Sequence, residues 1–232
     1  MAISLKTYTI LSTTITGVLA IAAFTRTSAK PRFAEIDVER INIVEADGRV
    51  RLTISNAERS PGWVFHGTVV PGRPKEAGMI FYNDEGEENG GLIFGGKKVD
   101  GKAASFGHLS FDQYDQDQDM SLDYQEDGGL RKAGIGFFDR PNTPIMEQVN
   151  QQKAIAARPD GPGKDSAIQA LRAGYANRLF VGRDKQKTAI VQLSDASNRP
   201  RLRLTVDSAG VAAVEFLDES GKVTRRLSGQ RE

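Results

Sequence analysis

The sequence predicts an all-β domain of mainly antiparallel hairpins, folded as a sandwich, a barrel or a meander. Apolar and polar residues alternate along many short segments, as at Ile36 and Val38 and again at Ile41 and Ile43. A period of two places the apolar side chains on one face of a strand. Turn signals such as Asp-Gly steps separate these segments at intervals of roughly 8 to 14 residues. The chain has 24 glycines, a content that favours many tight turns.

The alternation predicts strands on both sides of a less regular middle stretch. The first hairpin turns at Ala46-Asp47-Gly48, where the glycine supplies the positive φ that a tight turn needs. The further predicted strands are Gly78 to Tyr82, Gly91 to Phe94, Phe106 to Phe111, Met120 to Tyr124, Leu130 to Phe138, Leu179 to Val181, Ala189 to Leu193, Leu202 to Val206, Val211 to Leu217 and Val223 to Leu227.

A weak internal repeat accompanies the strands. The segment Arg51 to Asn56 resembles Arg203 to Ser208, and the repeated unit is a strand, an Asp-x-x-Gly turn and a second strand. A β-hairpin repeat explains this similarity without any functional role, and the two copies are too different to indicate a solenoid.

A short helical excursion is predicted around residues 143–175. Asn142 or Thr143 is a candidate cap, and Pro144 suits the first helical position. The Pro- and Gly-rich stretch Arg158 to Gly163 then breaks the helix, and Asp165 or Ser166 is a candidate cap for a second one.

We therefore expect four regions along the chain. They are an N-terminal signal peptide or membrane anchor at 1–32, a main β-rich region at 33–141, the helical excursion at 142–176 and a C-terminal β-hairpin region at 177–232. The sequence is compatible with a last region that packs on the main sheet and with one that stands apart.

The N-terminal segment predicts a hydrophobic helix that takes the chain to a membrane. Residues 8–24 contain no charge and no proline, Lys6 precedes them and Arg26 follows, as in a secretory signal peptide. Candidate cleavage sites are Ala20-Ile21-Ala22 and Thr27-Ser28-Ala29. If uncleaved, residues 8–24 would instead be a transmembrane helix, although 17 residues span only roughly 25 Å. We expect a bacterial cell-envelope protein, anchored or exported, with its domain outside the cytoplasm.

Charge and composition exclude several classes of function. Lys and Arg total 31 against 30 Asp and Glu, and this balance lacks the basic face that nucleic-acid binding needs. The absence of cysteine excludes disulfides, thiolate metal sites and a cysteine nucleophile. The glycine-rich stretch at Gly90 to Gly101 lacks the Gly-Lys-Ser/Thr ending of a phosphate-binding loop.

One acidic run has the ligand spacing of a calcium-binding EF-hand loop. Oxygen-bearing side chains occupy loop positions 1, 3, 5, 7, 9 and 12, where calcium is coordinated. Position 6 is Met120 instead of glycine, and the flanking segments do not read as helices. A solvent-facing strand is therefore the alternative, and apart from this calcium we expect no cofactor. The candidate ligands are Asp115, Asp117, Asp119, Ser121, Asp123 and Glu126.

A second acidic cluster comprises Asp84, Glu85, Glu87 and Glu88 on a predicted turn. Two carboxyl groups facing each other across a cleft would favour a hydrolase acting on carbohydrate. The alternative is a charged hairpin tip.

The remaining candidate residues are two histidines and one tryptophan. His66 and His108 have no Gly-x-Ser-x-Gly element to partner them, so a packing or surface role is the alternative to catalysis. Trp63, if exposed, could stack on a sugar or on a protein partner, and otherwise it anchors a loop in the core.

Three segments together resemble a family of uncharacterised bacterial proteins with a short hydrophobic N-terminus and a β-rich domain. They are Val38 to Asn56, Gly78 to Ile93, and Leu109 to Tyr114 together with Asp139 to Pro141. The similarity covers about Phe33 to Pro159. The resemblance implies an envelope protein of bacterial type and transfers no mechanism.

The function expected from these observations is a non-catalytic binding or assembly module. Many strands imply unpaired edges, which favour self-association or strand addition to a protein partner. The alternatives are a carboxylate-dependent hydrolase acting on carbohydrate, with Asp/Glu pairs from the region Asp84 to Asp123, and a calcium-stabilised structural domain.

Overall fold

The computed structural model describes residues 4–24, 30–65, 68–70 and 74–229, and the chain divides into two compact units, Met1–Val38 and Glu39–Glu232. The first unit contains helix α1 (Leu5–Phe24), in the segment where a hydrophobic helix is predicted. Within the described residues, no helix combines the length and the apolar character needed to cross a membrane. The prediction of a transmembrane helix is therefore not supported. The candidate cleavage site Thr27-Ser28-Ala29 lies outside the described residues.

The second unit is built on one antiparallel sheet of twelve strands, which confirms the predicted all-β class. The sheet is an open meander, and its strand order follows the chain from the edge strand β1 to the edge strand β14. A separate two-stranded hairpin lies between β2 and β5 in sequence. The strands are β1 (Arg40–Val44), β2 (Val50–Ser55), β3 (Trp63–Phe65), β4 (Thr68–Val70), β5 (Ala77–Tyr82), β6 (Glu88–Val99), β7 (Lys102–Asp112), β8 (Gln118–Asp127), β9 (Leu130–Asp139), β10 (Ala176–Arg183), β11 (Ala189–Ser194), β12 (Pro200–Val206), β13 (Ala212–Leu217) and β14 (Val223–Ser228).

The C-terminal strands continue the main sheet. Strand β10 pairs with β9 from Ala176↔Asp139 to Arg183↔Ala133. The predicted helical excursion connects these two neighbouring strands and contains helices α2 (Ile145–Ala156) and α3 (Pro162–Leu171).

Both helices begin at residues other than those predicted. Pro144 is the N-cap of α2 and not its first helical residue, because its ψ of 139° is extended. No side chain caps α2, so the prediction of a cap at Asn142 or Thr143 is wrong. Helix α3 begins at Pro162 after Gly161, whose φ of 148° few other residues adopt. Asp165 therefore lies in the first turn of α3 and does not cap it.

One type of turn recurs between the strands. A side-chain oxygen of an Asn or Asp accepts hydrogen bonds from the backbone N–H groups two and four residues later, and the residue three positions later has a positive φ. Such Asx bonds satisfy the backbone donors of the turn and fix its shape. These turns begin at Asn83, Asp184, Asp195, Asp207 and Asp218.

The strand register places a continuous aliphatic row across one face of the sheet. Each of the twelve strands contributes one residue, and each residue is the direct cross-strand partner of the next. None of these side chains is buried. The row is Ile41, Ile54, Met79, Leu92, Leu109, Leu122, Ile135, Val181, Val191, Leu204, Val214 and Leu227.

A second, largely apolar row runs beside the first on the same face. It is interrupted by Gly90 and ends at Arg225. We call the two rows together the apolar face. The second row is Ile43, Leu52, Phe81, Gly90, Phe111, Met120, Phe137, Leu179, Leu193, Leu202, Phe216 and Arg225.

The opposite face of the sheet carries small and polar residues in its central strands. Thr53, Ser110 and Ser121 are almost completely buried there, as is Ile80. Side chains alternate between the two faces of a strand, so these residues point away from the apolar face. The buried centre of the unit therefore lies on its more polar side.

We expect the recurring turn to contribute measurably to stability. Replacing Asp207 with alanine removes the acceptor for the N–H groups of Ala209 and Val211, and we expect the melting temperature to fall by about 2–4 °C. Asp207→Asn should retain most of the stability, because Asn83 accepts the same two bonds in its own turn. Thermal unfolding followed by circular dichroism checks this, with Ser208→Ala as the control; an unchanged melting temperature in Asp207→Ala would contradict it.

Candidate functional site

A cavity of about 640 Å³ lies between helix α2, the hairpin strand β3 and the polar face of strands β6 to β8. This volume is typical of small-molecule sites. Helix α2 contributes Ile145, Met146 and Val149, and the hairpin contributes Trp63 and Phe65. The sheet and its adjoining turn contribute mainly polar side chains. These are Glu88, His108, Ser110, Asp112, Gln116, Asp117 and Gln118.

The turn between β7 and β8 holds the start of α2 over the sheet. The backbone N–H of Ile145 donates to the carbonyl oxygen of Asp115 at 2.9 Å, which satisfies a helix donor that has no partner within the helix. The amide of Gln116, only 3 % exposed, donates to the carbonyl oxygens of Pro141 at 3.1 Å and Thr143 at 2.7 Å. Gln116 thus ties the turn to the segment that leads into α2.

Arg140 provides a second tie beside the cavity. Its Nε donates to the carbonyl oxygen of Gln118 at 2.6 Å, and its Nη1 lies 3.5 Å from the carboxylate of Asp117. The guanidinium stacks over the rings of Tyr175, at 4.7 Å from the centroid, and Phe138, at 5.5 Å. Arginine suits this position better than lysine, because its planar guanidinium can stack on aromatic rings and pair with a carboxylate at the same time. Arg140 therefore partly neutralises Asp117.

His108 and Asp123 form a charged pair on the cavity side of the sheet. They are direct cross-strand partners on β7 and β8, and Nδ1 of His108 lies 2.6 Å from Oδ1 of Asp123. The hydroxyl of Ser121 donates to the other oxygen of Asp123. A hydrolase triad needs the serine on the histidine, whereas here Asp123 lies between the two. The geometry is therefore that of an oriented histidine without a nucleophile bonded to it.

The interaction between His108 and Asp123 raises the pKa of the histidine and lowers the pKa of the aspartate. The hydrogen bond to Asp123 raises the pKa of His108 above 6.5, against the effect of burial. Burial pushes the pKa of Asp123 upward, but the hydrogen bonds from His108 and Ser121 outweigh it and bring that pKa below 3.8. The stabilisation from His108 is complete below its unfolded-state pKa and is lost as the pH rises through the raised value. The stabilisation from Asp123 is lost as the pH falls through its lowered value.

The six predicted calcium ligands do not surround one point. Asp115 lies in the turn, and Asp117 at its end lines the cavity. Asp119, Ser121 and Asp123 alternate to one face of β8, and Glu126 points to the other face, where it pairs with Arg131 at 2.8 Å. Among the residues that the structure describes, no group of three or more His, Asp or Glu side chains is placed to hold a metal ion.

The second acidic cluster is also divided. Asp84 pairs with Arg51, and Glu85 accepts the hydroxyl of Tyr114 at 2.8 Å, both at the turn. Glu87 is buried, and Glu88 lines the cavity. Of the four acidic residues in this cluster, Glu88 alone lines the cavity, where Asp112 and Asp117 from the wider predicted region Asp84 to Asp123 also lie. The prediction of a carboxylate-dependent hydrolase stays a prediction.

The predictions for the two histidines and for Trp63 compare differently with the structure. His66 lies outside the described residues. His108 and Trp63 both line the cavity, and Trp63 is 38 % exposed, so it is not a buried core anchor. Sequence reasoning missed Ser110 and Gln116, since lone polar residues in a strand and a turn carry no signal. Arg140 lies in one of the segments that carry the family resemblance, but nothing there indicated its stacking.

No protein-family model matches the chain, and no curated protein matches its sequence. The resemblance to bacterial envelope proteins therefore stays a prediction.

We expect the titration of His108 to report its bond to Asp123. In Asp123→Asn the carboxylate that favours the charged imidazole is gone, so the pKa of His108 should fall relative to the unmodified chain. Proton NMR of the imidazole signals against pH measures this, and His66→Gln assigns the signals because the chain has two histidines. Equal pKa values in the two proteins would show that the bond is absent in solution.

We expect calcium not to stabilise the protein. The six candidate oxygens diverge, so millimolar calcium should leave the melting temperature unchanged, and chelation should have no effect. Magnesium is the matched control. A rise in melting temperature with calcium alone, reversed by a chelator and lost in Asp119→Asn, would contradict this expectation and support the predicted calcium site.

Proposed function

We propose that the protein is a non-catalytic binding or assembly module of the bacterial cell envelope, and that it self-associates through the apolar face. The observation that carries this proposal is the continuous aliphatic row, which no element of the described second unit covers. Helix α2 and strand β3 line the opposite, more polar face. A sheet normally buries its apolar face against a second layer, and we propose that a second molecule supplies that layer.

The exposed area is large enough for a stable interface. Thirteen large apolar side chains on this side of the sheet are each 37–55 % exposed, which amounts to roughly 1,000 Å² in total. Patches on monomeric proteins reach only about 300–600 Å², and a stable interface buries about 800 Å² per partner. These side chains are Ile43, Phe94, Phe111, Leu122, Tyr124, Ile135, Phe137, Val181, Leu193, Leu204, Val206, Phe216 and Leu227.

A second copy of the chain is the partner that suits this surface. Ion pairs lie towards the strand ends, as in Glu126–Arg131 and Asp139–Arg178, while the central rows are uncharged up to Arg225. Two such faces can pack as the layers of a sandwich, about 10 Å apart. In a two-fold contact the same surface serves both partners, so one association covers both apolar faces.

The location of this module is a separate part of the proposal. We propose that the N-terminal segment directs the chain to the bacterial cell envelope, as a signal peptide or as an anchor, and that the domain lies outside the cytoplasm. Fractionation of the tagged chain with N-terminal sequencing tests this. An envelope fraction that starts at Met1 or near Lys30 supports it, and a chain found wholly in the cytoplasmic fraction contradicts it.

The interface is tested in cells by single-cysteine variants. The chain has no cysteine, so Leu204→Cys introduces its only thiol, within the proposed interface. We expect this thiol to be protected from maleimide and to give a cross-linked product of twice the 25.3 kDa chain with a flexible bis-maleimide. Val181→Cys should behave in the same way.

Leu130→Cys is the matched control, because Leu130 is 54 % exposed but lies at a hairpin end outside the two rows. It should react freely and form no dimer. Self-association through the apolar face would be refuted if Leu204→Cys reacted as fast as Leu130→Cys without forming a dimer. Protection of Leu204→Cys without a chain dimer would replace the second copy by a different partner.

A further inference from the structure

The first and last strands of the large sheet each have one unpaired side. Within the described residues, β1 pairs only with β2, and β14 pairs only with β13. Every residue of β14 is exposed, and so is every residue of β1 except Ile41. An unpaired edge can accept a further strand through its backbone groups. Both edges are therefore surfaces for strand addition.

Hydrogen bonds beside the two edges determine which backbone groups point outward. The N–H of Asn56 donates to the carbonyl oxygen of Glu39 at 3.0 Å, and the N–H of Gly229 donates to that of Ala212 at 3.1 Å. Along an antiparallel ladder, residues that bond to the neighbouring strand alternate with residues that do not. The two registers therefore turn the N–H and C=O groups of four residues outward, which are Arg40 and Asn42 in β1 and Arg226 and Ser228 in β14.

The even number of strands allows a second copy of the chain to continue the sheet. All neighbouring strands are antiparallel, so β1 and β14 of one chain run in opposite directions. A copy that lies beside β14 in the same orientation presents its β1 antiparallel to it. The four outward-bonding residues all have their side chains on the polar face, because the residues between them belong to the apolar face. Direct partners share a face, so the two edges match.

The register that joins all four outward-bonding residues also continues the apolar face. It sets Asn42 of the second copy opposite Arg226 of the first, and Ile41 opposite Leu227. Since Ile41 and Leu227 are the two ends of the aliphatic row, the row then passes from one copy to the next without a break.

The charges at the two edges suit this pairing, although charged side chains often protect an edge. Arg226 lies 3.4 Å from Glu215 of its own chain. Arg225, the one charge in the two rows, makes no ion pair among the described residues. In the joined register its diagonal neighbour is Glu45 of the next copy, directly after β1, within reach of a long side chain. One oxygen of Glu45 pairs with Arg51 at 3.2 Å, which leaves the other for Arg225.

We propose that copies of this chain join head to tail, β14 to β1, into one continuous antiparallel sheet. The contact is heterologous, so each added copy offers a new free edge and the assembly can repeat. It uses the strand edges, whereas the contact proposed above uses the apolar face, and all joined copies keep that face on the same side. Either contact can therefore exist without the other.

Two single-cysteine chains with different tags test this contact, since the full-length chain has no cysteine of its own. One carries Asn42→Cys and the other Arg226→Cys. In the proposed register these residues form a hydrogen-bonded pair with Cα atoms about 5.5 Å apart, a spacing that suits a disulfide. Both lie on the polar face, so packing of two apolar faces cannot bring them together. On mild oxidation we expect the mixture to give a mixed dimer with at least tenfold the yield of dimer from either chain alone.

Arg203→Cys is the matched control, because Arg203 lies in the same cross-strand row as Arg226 but two strands inside the edge. It should give no product with Asn42→Cys. No mixed dimer of Asn42→Cys with Arg226→Cys would overturn the proposal. An equal yield of Arg226→Cys dimer would also overturn it, because that product requires β14 to pair with a second β14.

A charge exchange tests the register of the contact. Arg225→Glu in the Arg226→Cys chain places a like charge beside Glu45 and should lower the yield of mixed dimer about threefold. Adding Glu45→Arg to the Asn42→Cys chain should restore the yield, whereas Glu45→Arg without Arg225→Glu should lower it. A loss that the second change does not restore would contradict the proposed register.

Discussion

The structure depends on the register of one antiparallel ladder. Because side chains alternate along a strand, a shift of one residue at any pairing would send that strand's apolar side chains to the opposite face. The register instead keeps one aliphatic residue from each of twelve strands in line, from Ile41 to Leu227. The Asx turns support this alignment, since they set where each strand ends and the next begins. The apolar face and the cavity floor are the two faces of the same ladder.

The two faces divide the roles of the second unit. The polar face holds the cavity, where Gln116 and Arg140 hold the segment around α2 in place. No described element of the second unit covers the apolar face, whereas α2 and β3 line the more polar face. This distribution is the opposite of that in a soluble single-sheet domain, where the apolar face lies against the helices. The proposal of self-association rests on this distribution.

Sequence reasoning recovered the fold class and most strands, since period-two alternation and Asp-x-x-Gly turns are local signals. The pairing of β10 with β9 was beyond it, because 36 residues with two helices separate the two strands. Helix starts were misplaced, since Pro144 and Gly161 act through backbone conformation and the partner of Ile145 lies in a distant turn. Of the residues that line the cavity, the sequence singled out His108, Trp63, Asp117 and Glu88 as candidates. The burial of Ser110 and the pairing of Asp123 with His108 arise from cross-strand register, which the residues adjacent to them in sequence do not determine.

The strand order has a consequence for how the chain folds. Each strand pairs with its nearest neighbours along the chain, and two longer closures, β2 to β5 and β9 to β10, interrupt this pattern. Contacts between near neighbours form quickly because they close short loops. Three blocks of hairpins can thus form independently, and the two long closures then join them. A chain delivered from its N-terminus would add strands in the order in which they arrive, with one growing edge at every stage, until the edge strand β14 and its Arg225 and Arg226 end the sheet.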